Sequence, residues 1–369
     1  MTASTRGQRL LVYISGHGYG HVAQVAPLLN QLLQDLPTLE LIIASAVNEQ
    51  FLRSRIKVAF TYEYRRADFG MLMKSALEVD VAGSVAAYLD FHEHWQGRVE
   101  AEAAWIAALQ PDAIFSNVAY LPLAAASQLD IPALAMCSLN WADILQYYAN
   151  EPVLDRVQQQ MRSAYAGARG FLRIEPSMAM PWMRCHEVGP VADIAQENRV
   201  AIYQALELSE GARLILVGMG GISTEINPDR FPLLSNVHWL LPQAWMQGRQ
   251  RADFHALESL PLEFSTVLAS SDIVLTKPGY GTFVEAACHG IPVLYVPRDG
   301  WPEQDCLVSW LQRYGCCEQV EADQLSSGDF AEVMLKLLHG ARPAPVAPDG
   351  NRQAARWIAD QLGLSGGSQ

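Results

Sequence analysis

The first half of the chain alternates short apolar runs with glycine loops and amphipathic stretches. Residues 10–14 are apolar, and residues 15–21 contain three glycines and two histidines. Residues 22–36 have helical periodicity, and residues 39–44 form a second apolar run. A strand, a glycine loop, a helix and a strand in this order predict a βαβ unit and therefore a parallel sheet.

The alternation continues along the chain with one break at residues 188–190, where a glycine and a proline predict a hinge. Further helices are expected near residues 83–109, 123–129 and 196–206, and further strands at residues 112–116, 133–136, 213–217, 271–276 and 292–297. The pattern predicts an α/β protein with two Rossmann-like, doubly wound parallel sheets that face a cleft. The expected domains are residues 1–187 and 188–345.

Composition narrows the class of protein. A chain of 369 residues, 50% hydrophobic and 18% charged, can fill two cores. The formal net charge of −13 argues against nucleic acid as a partner, because phosphate backbones require dense basic surfaces. The run at residues 10–14 is too short for a signal peptide or a transmembrane segment. The six cysteines lack zinc-type spacing, and together these features predict a cytoplasmic protein with reduced thiols.

Three glycine loops follow predicted strands, which is where open α/β sheets bind ligands. A helix that starts there offers unpaired N–H groups and about half a positive charge, which suits a diphosphate. The candidate phosphate-binding residues are Gly18 and Gly20 in the first loop, Gly220 and Gly221 in the second, and Lys277, Gly279, Tyr280, Gly281 and Thr282 in the third.

Glu285 has two interpretations. It lies one turn into the helix that Thr282 is expected to open, where its carboxylate can accept two ribose hydroxyls. The same pair also fits a capping box, in which the carboxylate bonds to the helix start and no ligand is needed. The motif alone leaves both open.

The third loop carries a family resemblance. Residues 272–297, with Glu285 and residues 290–292 in order, resemble the donor-binding region of GT-B nucleotide-sugar glycosyltransferases, as in the MurG and UDP-glycosyltransferase families. The resemblance implies a nucleoside diphosphate sugar, foremost a UDP-sugar, as donor substrate, with no cofactor. It also implies that Glu303 and Gln304 hold the donor sugar.

The resemblance extends over most of the chain. Residues 16–21 are similar to the MurG glycine loop and, more closely, to the glycosyltransferase-like domain of L-arabinokinase-type proteins. Residues 131–141 match the same group, although Asn117 stands where an aspartate is common. In proteins of this fold the final helix crosses back onto the first domain. We expect the same of the amphipathic segment at residues 351–363.

Two histidines are the catalytic candidates. An inverting transferase needs a general base near the acceptor hydroxyl. His21 matches by position the histidine that ends the loop in the resembled families, and it is the predicted base. His17 shares the loop and is expected to contact phosphate. A packed histidine without a catalytic role is the alternative for either.

No metal is expected. No two aspartates are separated by a single residue, so the sequence lacks the D-x-D signature of metal-dependent transferases. His92 and His94 flank Glu93, but residues two apart do not share a helix face. The aromatic residues of the first half are expected mostly in the core, with Trp141 the strongest candidate for stacking on an acceptor.

The sequence therefore predicts a hexosyl- or N-acetylhexosaminyltransferase that is inverting and metal-independent, with an unknown acceptor. Two alternatives stay open. A nucleotide-sugar hydrolase or epimerase can use the same donor loop, and a non-catalytic nucleotide-sugar-binding protein needs no base at all.

Overall fold

The computed structural model describes residues 7–75, 77–220, 226–246, 248–249, 251–298 and 300–364. Its backbone divides into two compact units. Unit 1 comprises the described residues of Met1–Met73, Val79–Val191 and Pro348–Gln369, and unit 2 comprises those of Lys74–Glu78 and Ala192–Ala347.

Unit 1 is built on a seven-stranded sheet. Its strands are β1 (Arg9–Ile14), β2 (Glu40–Ser45), β3 (Thr61–Tyr64), β4 (Ala113–Asn117), β5 (Ala133–Cys137), β6 (Gly170–Ile174) and β7 (Cys185–Val188). All neighbours pair in parallel, in the order β3-β2-β1-β4-β5-β6-β7. The central strands β4 and β5 are buried along their whole length, as expected of a parallel sheet covered on both faces.

The helices of unit 1 connect these strands. They are α1 (Tyr19–Asp35), α2 (Glu49–Arg55), α3 (Val81–Glu93), α4 (Trp95–Leu109), α5 (Leu121–Gln128), α6 (Trp141–Tyr148) and α7 (Asp155–Ala166). The helical region expected near residues 83–109 consists of two helices. His94 has φ of −112° and ψ of 38°, which interrupts the helix between α3 and α4. The break lets α3 pack on α7 while α4 packs on α5.

Unit 2 has a six-stranded parallel sheet of the same design. Its strands are β8 (Arg213–Gly218), β9 (Val237–Leu241), β10 (Phe254–Ala256), β11 (Ile273–Thr276), β12 (Val293–Tyr295) and β13 (Cys317–Gln319). Its helices are α8 (Arg199–Ala205), α9 (Phe264–Ala269), α10 (Tyr280–His289), α11 (Gln304–Tyr314), α12 (Ala322–Ser327) and α13 (Ala331–His339). The strand order is β10-β9-β8-β11-β12-β13. Trp239, Phe231 and Phe330 pack together in its core.

The last helix, α14 (Gly350–Leu362), belongs to unit 1. It packs along α1, and Ile358 on its apolar face is fully buried. The ring of Trp357 stacks on that of His186 in β7, with centroids 4.9 Å apart and planes 4° from parallel. Unit 1 therefore contains both the first strand and the final helix of the chain.

Candidate functional site

Both sheets have a topological switch point. In unit 1 the strand order reverses direction between the neighbours β1 and β4, and in unit 2 it does so between β8 and β11. Open α/β sheets bind ligands beyond the carboxyl ends of the strands at such points. A ligand is therefore expected at two places: the loops after β1 and β4 in unit 1, and the loops after β8 and β11 in unit 2.

The switch point of unit 1 contains both candidate histidines. His17 lies in the loop after β1, whereas His21 lies in the first turn of α1, which begins at Tyr19. The expected helix start at residue 22 is wrong, because a glycine at the beginning of a helix does not prevent the first turn. A β-carbon built at Gly18 or Gly20 would meet no described atom within 4 Å. Within the described part of unit 1, this backbone is open to a ligand.

A chain of buried amides holds His21. Its Nδ1 atom lies 2.8 Å from Oδ1 of Asn117. The Nδ2 atom of Asn117 donates to Oε1 of Gln24 at 2.8 Å, and Nε2 of Gln24 donates to Oγ of Ser138 at 2.8 Å. Because Asn117 donates to Gln24, its carbonyl oxygen accepts from His21, and the imidazole proton lies on Nδ1. Nε2 keeps its lone pair, as a general base requires.

The charge state of His21 follows from burial. Loss of hydration lowers the pKa of His21 to about 4, and the hydrogen bond to Asn117 opposes this only in part. The imidazole is therefore neutral at pH 7. Asn117 orients the ring but supplies no negative charge to an imidazolium, so His21 is well oriented and weakly basic.

A buried carboxylate supports the two histidines. Asp68 accepts from Oγ of Ser15 at 2.9 Å and from Nε1 of Trp141 at 2.8 Å. Burial raises the pKa of Asp68 to about 6 in spite of these bonds. The ring of Trp141 packs against His17 and His21 at centroid distances of 5.0 and 5.6 Å. Asp68 thus positions the ring of Trp141, against which both imidazoles pack.

Trp141 does not have the predicted role. Its side chain is 0% exposed and its N–H group is bonded to Asp68, so no face is available for stacking on an acceptor. Tyr88 is buried as well, in agreement with the expected core. Tyr147, by contrast, is 59% exposed.

Sequence reasoning missed Gln24 and Asp68. Gln24 could have been found, because a polar residue between Val22 and Val25 interrupts the apolar stripe of α1. Asp68 lies in an irregular segment without periodicity, and only the fold brings it to Ser15. The amide chain joins α1 to the ends of β4 and β5, and Asn117 lies opposite Ile14, the last residue of β1, in the sheet.

The switch point of unit 2 brings Lys277 to Gly220. Oγ1 of Thr276 donates to the carbonyl of Gly218 at 2.6 Å and so joins the ends of β11 and β8. Gly220 has φ of +79°, which favours glycine, and a β-carbon built there would lie 3.6 Å from Cε of Lys277. The predicted residue Gly221 lies outside the described residues.

The helix after β11 begins earlier than expected. Tyr280 is the first residue of α10 and Gly279 is its N-cap, so Thr282 lies inside the first turn. The predicted opening at Thr282 is wrong, and so is its capping box with Glu285. Gly279 has no side chain with which to cap the first amides. Tyr280 and Gly281 are buried, and Glu285 is a buried carboxylate one turn further along.

The loop after β12 carries the two residues implied by the resemblance. Glu303 accepts from the indole N–H of Trp301 at 3.2 Å. Gln304 begins α11, and its Oε1 accepts from the backbone N–H of Arg298 at 2.6 Å. Burial lowers the pKa of Lys277 to about 7, the charge of Arg298 lowers it further, and that of Glu303 acts in the opposite direction. Both charges therefore lie within electrostatic range of Lys277.

His92 packs in the core of unit 1. Its Nε2 lies 2.9 Å from the hydroxyl of Tyr120 and its Nδ1 lies 2.8 Å from Oε1 of Gln160. Within the described ranges, no group of three or more His, Cys, Asp or Glu residues is placed to hold a metal ion. None of the helices described has the length and apolar character needed to cross a membrane.

The fold is that of the GT-B glycosyltransferases, and solved structures of that class superpose on nearly the whole chain. CalG4, the calicheamicin glycosyltransferase, has a TM-score of 0.63 at 16% identity, over 96% of this chain and 98% of that one. UGT89C1 of Arabidopsis thaliana has a TM-score of 0.63 at 13% identity, over 97% and 100%. VinC in complex with dTDP has a TM-score of 0.57 at 15% identity, over 96% and 95%. At these identities the similarity establishes the fold.

A sequence relative points the same way. The chain is 23% identical over 354 residues to L-arabinokinase of Arabidopsis thaliana. The match covers 92% of this chain and 33% of the relative, so the chain spans about a third of that protein's length. No family model matches the sequence. The expected resemblance to GT-B glycosyltransferases and to L-arabinokinase-type proteins is confirmed.

Proposed function

We propose that the protein is an inverting glycosyltransferase that moves a sugar from a nucleoside diphosphate sugar, foremost a UDP-sugar, to an acceptor hydroxyl. One observation carries the proposal. A neutral histidine whose Nε2 carries the lone pair lies at one switch point, and a helix with a glycine as its N-cap lies beside a lysine at the other. Transfer needs a base for the acceptor and a site for the departing diphosphate.

In the proposed reaction Nε2 of His21 accepts the proton of the acceptor hydroxyl. The hydroxyl oxygen attacks the anomeric carbon from the face opposite the diphosphate, and the carbon–oxygen bond to phosphate breaks. The electron pair leaves with the nucleoside diphosphate. His17, with the open backbone of Gly18 and Gly20, is proposed to contact phosphate.

The donor is proposed to bind unit 2. The N-terminus of α10 and Lys277 hold the diphosphate, the backbone at Gly220 approaches it closely, and Glu285 accepts the ribose hydroxyls. By the resemblance, Glu303 and Gln304 hold the sugar. Because a helix dipole and a lysine stabilise the charge that develops on the leaving diphosphate, the proposed mechanism needs no metal.

Product stereochemistry tests the proposal. The protein is incubated in EDTA with UDP-glucose, UDP-galactose or UDP-N-acetylglucosamine, and the anomeric protons are followed by NMR. Without another acceptor, water attacks slowly, and inversion of the α-linked donor gives the β anomer first. A hydroxyl compound from an acceptor panel should then give a β-glycoside at a higher rate.

Three results would contradict parts of this account. Initial release of the α anomer would show retention. A strict requirement for Mg²⁺ or Mn²⁺ would contradict the metal-free mechanism. Rapid hydrolysis with which no hydroxyl compound competes would favour the nucleotide-sugar hydrolase.

A further inference from the structure

Three arginines of unit 2 surround one buried carboxylate, that of Asp272, which directly precedes β11. Nη2 of Arg199 donates to its Oδ2 atom at 2.6 Å, and Nη1 of Arg213, the first residue of β8, donates to its Oδ1 atom at 3.0 Å. Nη2 of Arg342 lies 3.5 Å from the same Oδ1 atom. The backbone N–H of Leu214 also donates to Oδ2, so the lone pairs of this carboxylate are largely occupied.

Two of these arginines line a cleft at the amino ends of β8, β11 and β12. The cleft has a volume of about 440 Å³ and is lined by Arg213, Asp272, Pro292, the end of α13 at His339, and Arg342; we call it the arginine cleft. The side chains of Arg213 and Arg342 are 50% and 43% exposed, so a solute can reach both guanidinium groups. The donor loops follow the carboxyl ends of β8 and β11 and therefore lie at the opposite edge of the same sheet.

Positive charge exceeds negative charge at the arginine cleft. Among the residues that the structure describes, Asp272 is the one carboxylate that pairs with Arg199, Arg213 or Arg342. The carboxyl end of α13 adds about half a negative charge, so an excess of more than one positive charge remains. A single carboxylate oxygen thus holds Arg213 and Arg342 as like-charged neighbours, and an anion bound between them would relieve their repulsion.

We propose that the arginine cleft is a second ligand site of unit 2 and binds a phosphate dianion, either inorganic phosphate or the phosphate group of a monoester. A dianion matches the excess charge better than a carboxylate, which brings one charge only. Asp272 uses Nη1 of Arg213 and Nη2 of Arg342, and each guanidinium keeps further N–H groups that can bond to separate phosphate oxygens. The inference is independent of the proposed glycosyltransferase function, because the arginine cleft contains none of the proposed donor residues.

Calorimetric titration of the intact chain with inorganic phosphate and with glucose 6-phosphate tests the site, at about pH 8, where both are dianions. Arg342→Gln should weaken the binding of both by roughly tenfold or more, the loss expected for a charged hydrogen bond. The fold should persist, because Asp272 keeps Arg199 and Arg213 as partners. Arg213→Gln should weaken binding similarly, and the control Arg313→Gln, at an exposed position of α11, should not.

The two ligands distinguish the sources of the phosphate. If the wild type binds glucose 6-phosphate more tightly than inorganic phosphate, the arginine cleft receives a phosphorylated metabolite. Equal or weaker binding of the ester would assign the site to inorganic phosphate. In both cases the affinity should depend on Arg342 and Arg213.

Two cross-checks separate the arginine cleft from the donor site. Lys277→Gln should leave the Arg342-dependent binding of phosphate unchanged, and Arg342→Gln should leave the Kd of UDP-glucose unchanged. Phosphate binding that is lost in Lys277→Gln but kept in Arg342→Gln would place the anion at the donor loops and overturn the inference. So would a wild type that binds neither phosphate compound in the millimolar range. If no nucleotide sugar binds but phosphate affinity still depends on Arg342 and Arg213, the proposed function fails and this inference stands.

Discussion

The carbonyl oxygen of Asn117 holds the Nδ1 proton of His21 but offers no charge to an imidazolium. Burial therefore dominates, and the pKa of His21 falls to about 4. The orientation of the His21 ring and its basicity are thus set by different parts of the structure. The chain from Asn117 through Gln24 to Ser138 sets the orientation, and the missing carboxylate limits the strength.

Asn117→Asp should raise the pKa of His21. The new carboxylate keeps the acceptor for Nδ1, and Gln24 can turn its amide to donate to the other oxygen. A base is active only when deprotonated, so activity is lost as the pH falls through its pKa. The acid limb of kcat/KM should lie near pH 4 in the wild type and at higher pH in the variant. NMR titration of the His21 ring measures the pKa without turnover.

A matched control exists in the same unit. Gln160→Glu places a carboxylate on His92, whose Nδ1 lies 2.8 Å from Gln160 and whose pKa is also lowered to about 4 by burial. It should raise the pKa of His92 and leave the pKa of His21 and the acid limb in place. An acid limb that does not move in Asn117→Asp would exclude His21 as the base.

The two histidines should respond differently to removal. His21→Ala is expected to lower turnover by about 10²- to 10⁴-fold, the usual value of a positioned base, with nucleotide affinity nearly normal. His17→Ala should weaken nucleotide binding more than turnover if His17 contacts phosphate. Separate measurement of kcat and of nucleotide Kd distinguishes them. The reverse pattern would exchange the roles, and no effect from either would indicate a different base or a non-enzyme.

At the scale of elements, α14 is integral to unit 1. Ile358→Ala removes a fully buried side chain that faces into unit 1 and should lower the free energy of unfolding by about 2 to 5 kcal/mol. Arg356→Ala, on the exposed face of the same helix, should change it by less than about 0.5 kcal/mol. Urea unfolding of the intact chain gives both values. Equal stabilities would mean that α14 does not fold cooperatively with unit 1.

The elements that could be predicted from sequence are those with a clear pattern. The central strands β1, β4 and β5 are apolar runs between turn signals, because neighbours cover both faces. The strands β3 and β7 were not predicted. They lie at the sheet edges and carry polar residues, so they lack the apolar run of a central strand. The strands β10 and β13 have only three residues each.

The residues of the candidate site also fall into those with a sequence pattern and those without one. His21 and Lys277 could be predicted because each follows a strand in a glycine-rich segment, where the topology directs ligands. Gln24 left one signal, a polar position in the apolar stripe of α1, whereas Asp68 could not be assigned in advance because its importance lies in contacts across the fold. The starts of α1 and α10 were predicted three and two residues late, so the sequence did not show that a glycine, Gly279, is the N-cap of α10.

For the whole molecule, the net charge of −13 sets the expectation for an anionic substrate. Global attraction cannot hold such a ligand, so local groups must do so. Lys277 and the start of α10, at one edge of the second sheet, are the local groups proposed here.

The central claim, that unit 2 binds a nucleoside diphosphate sugar, is tested most directly by thermal unfolding with UDP-, dTDP- and GDP-sugars. Ligand binding to the folded state raises Tm with concentration. We expect one nucleotide class to stabilise the wild type. Glu285→Gln should weaken that binding by roughly 1 to 3 kcal/mol, as for loss of a charged acceptor, whereas Glu332→Gln on the exposed face of α13 should not. No rise in Tm with any of the three, or equal stabilisation of Glu285→Gln, would contradict the account.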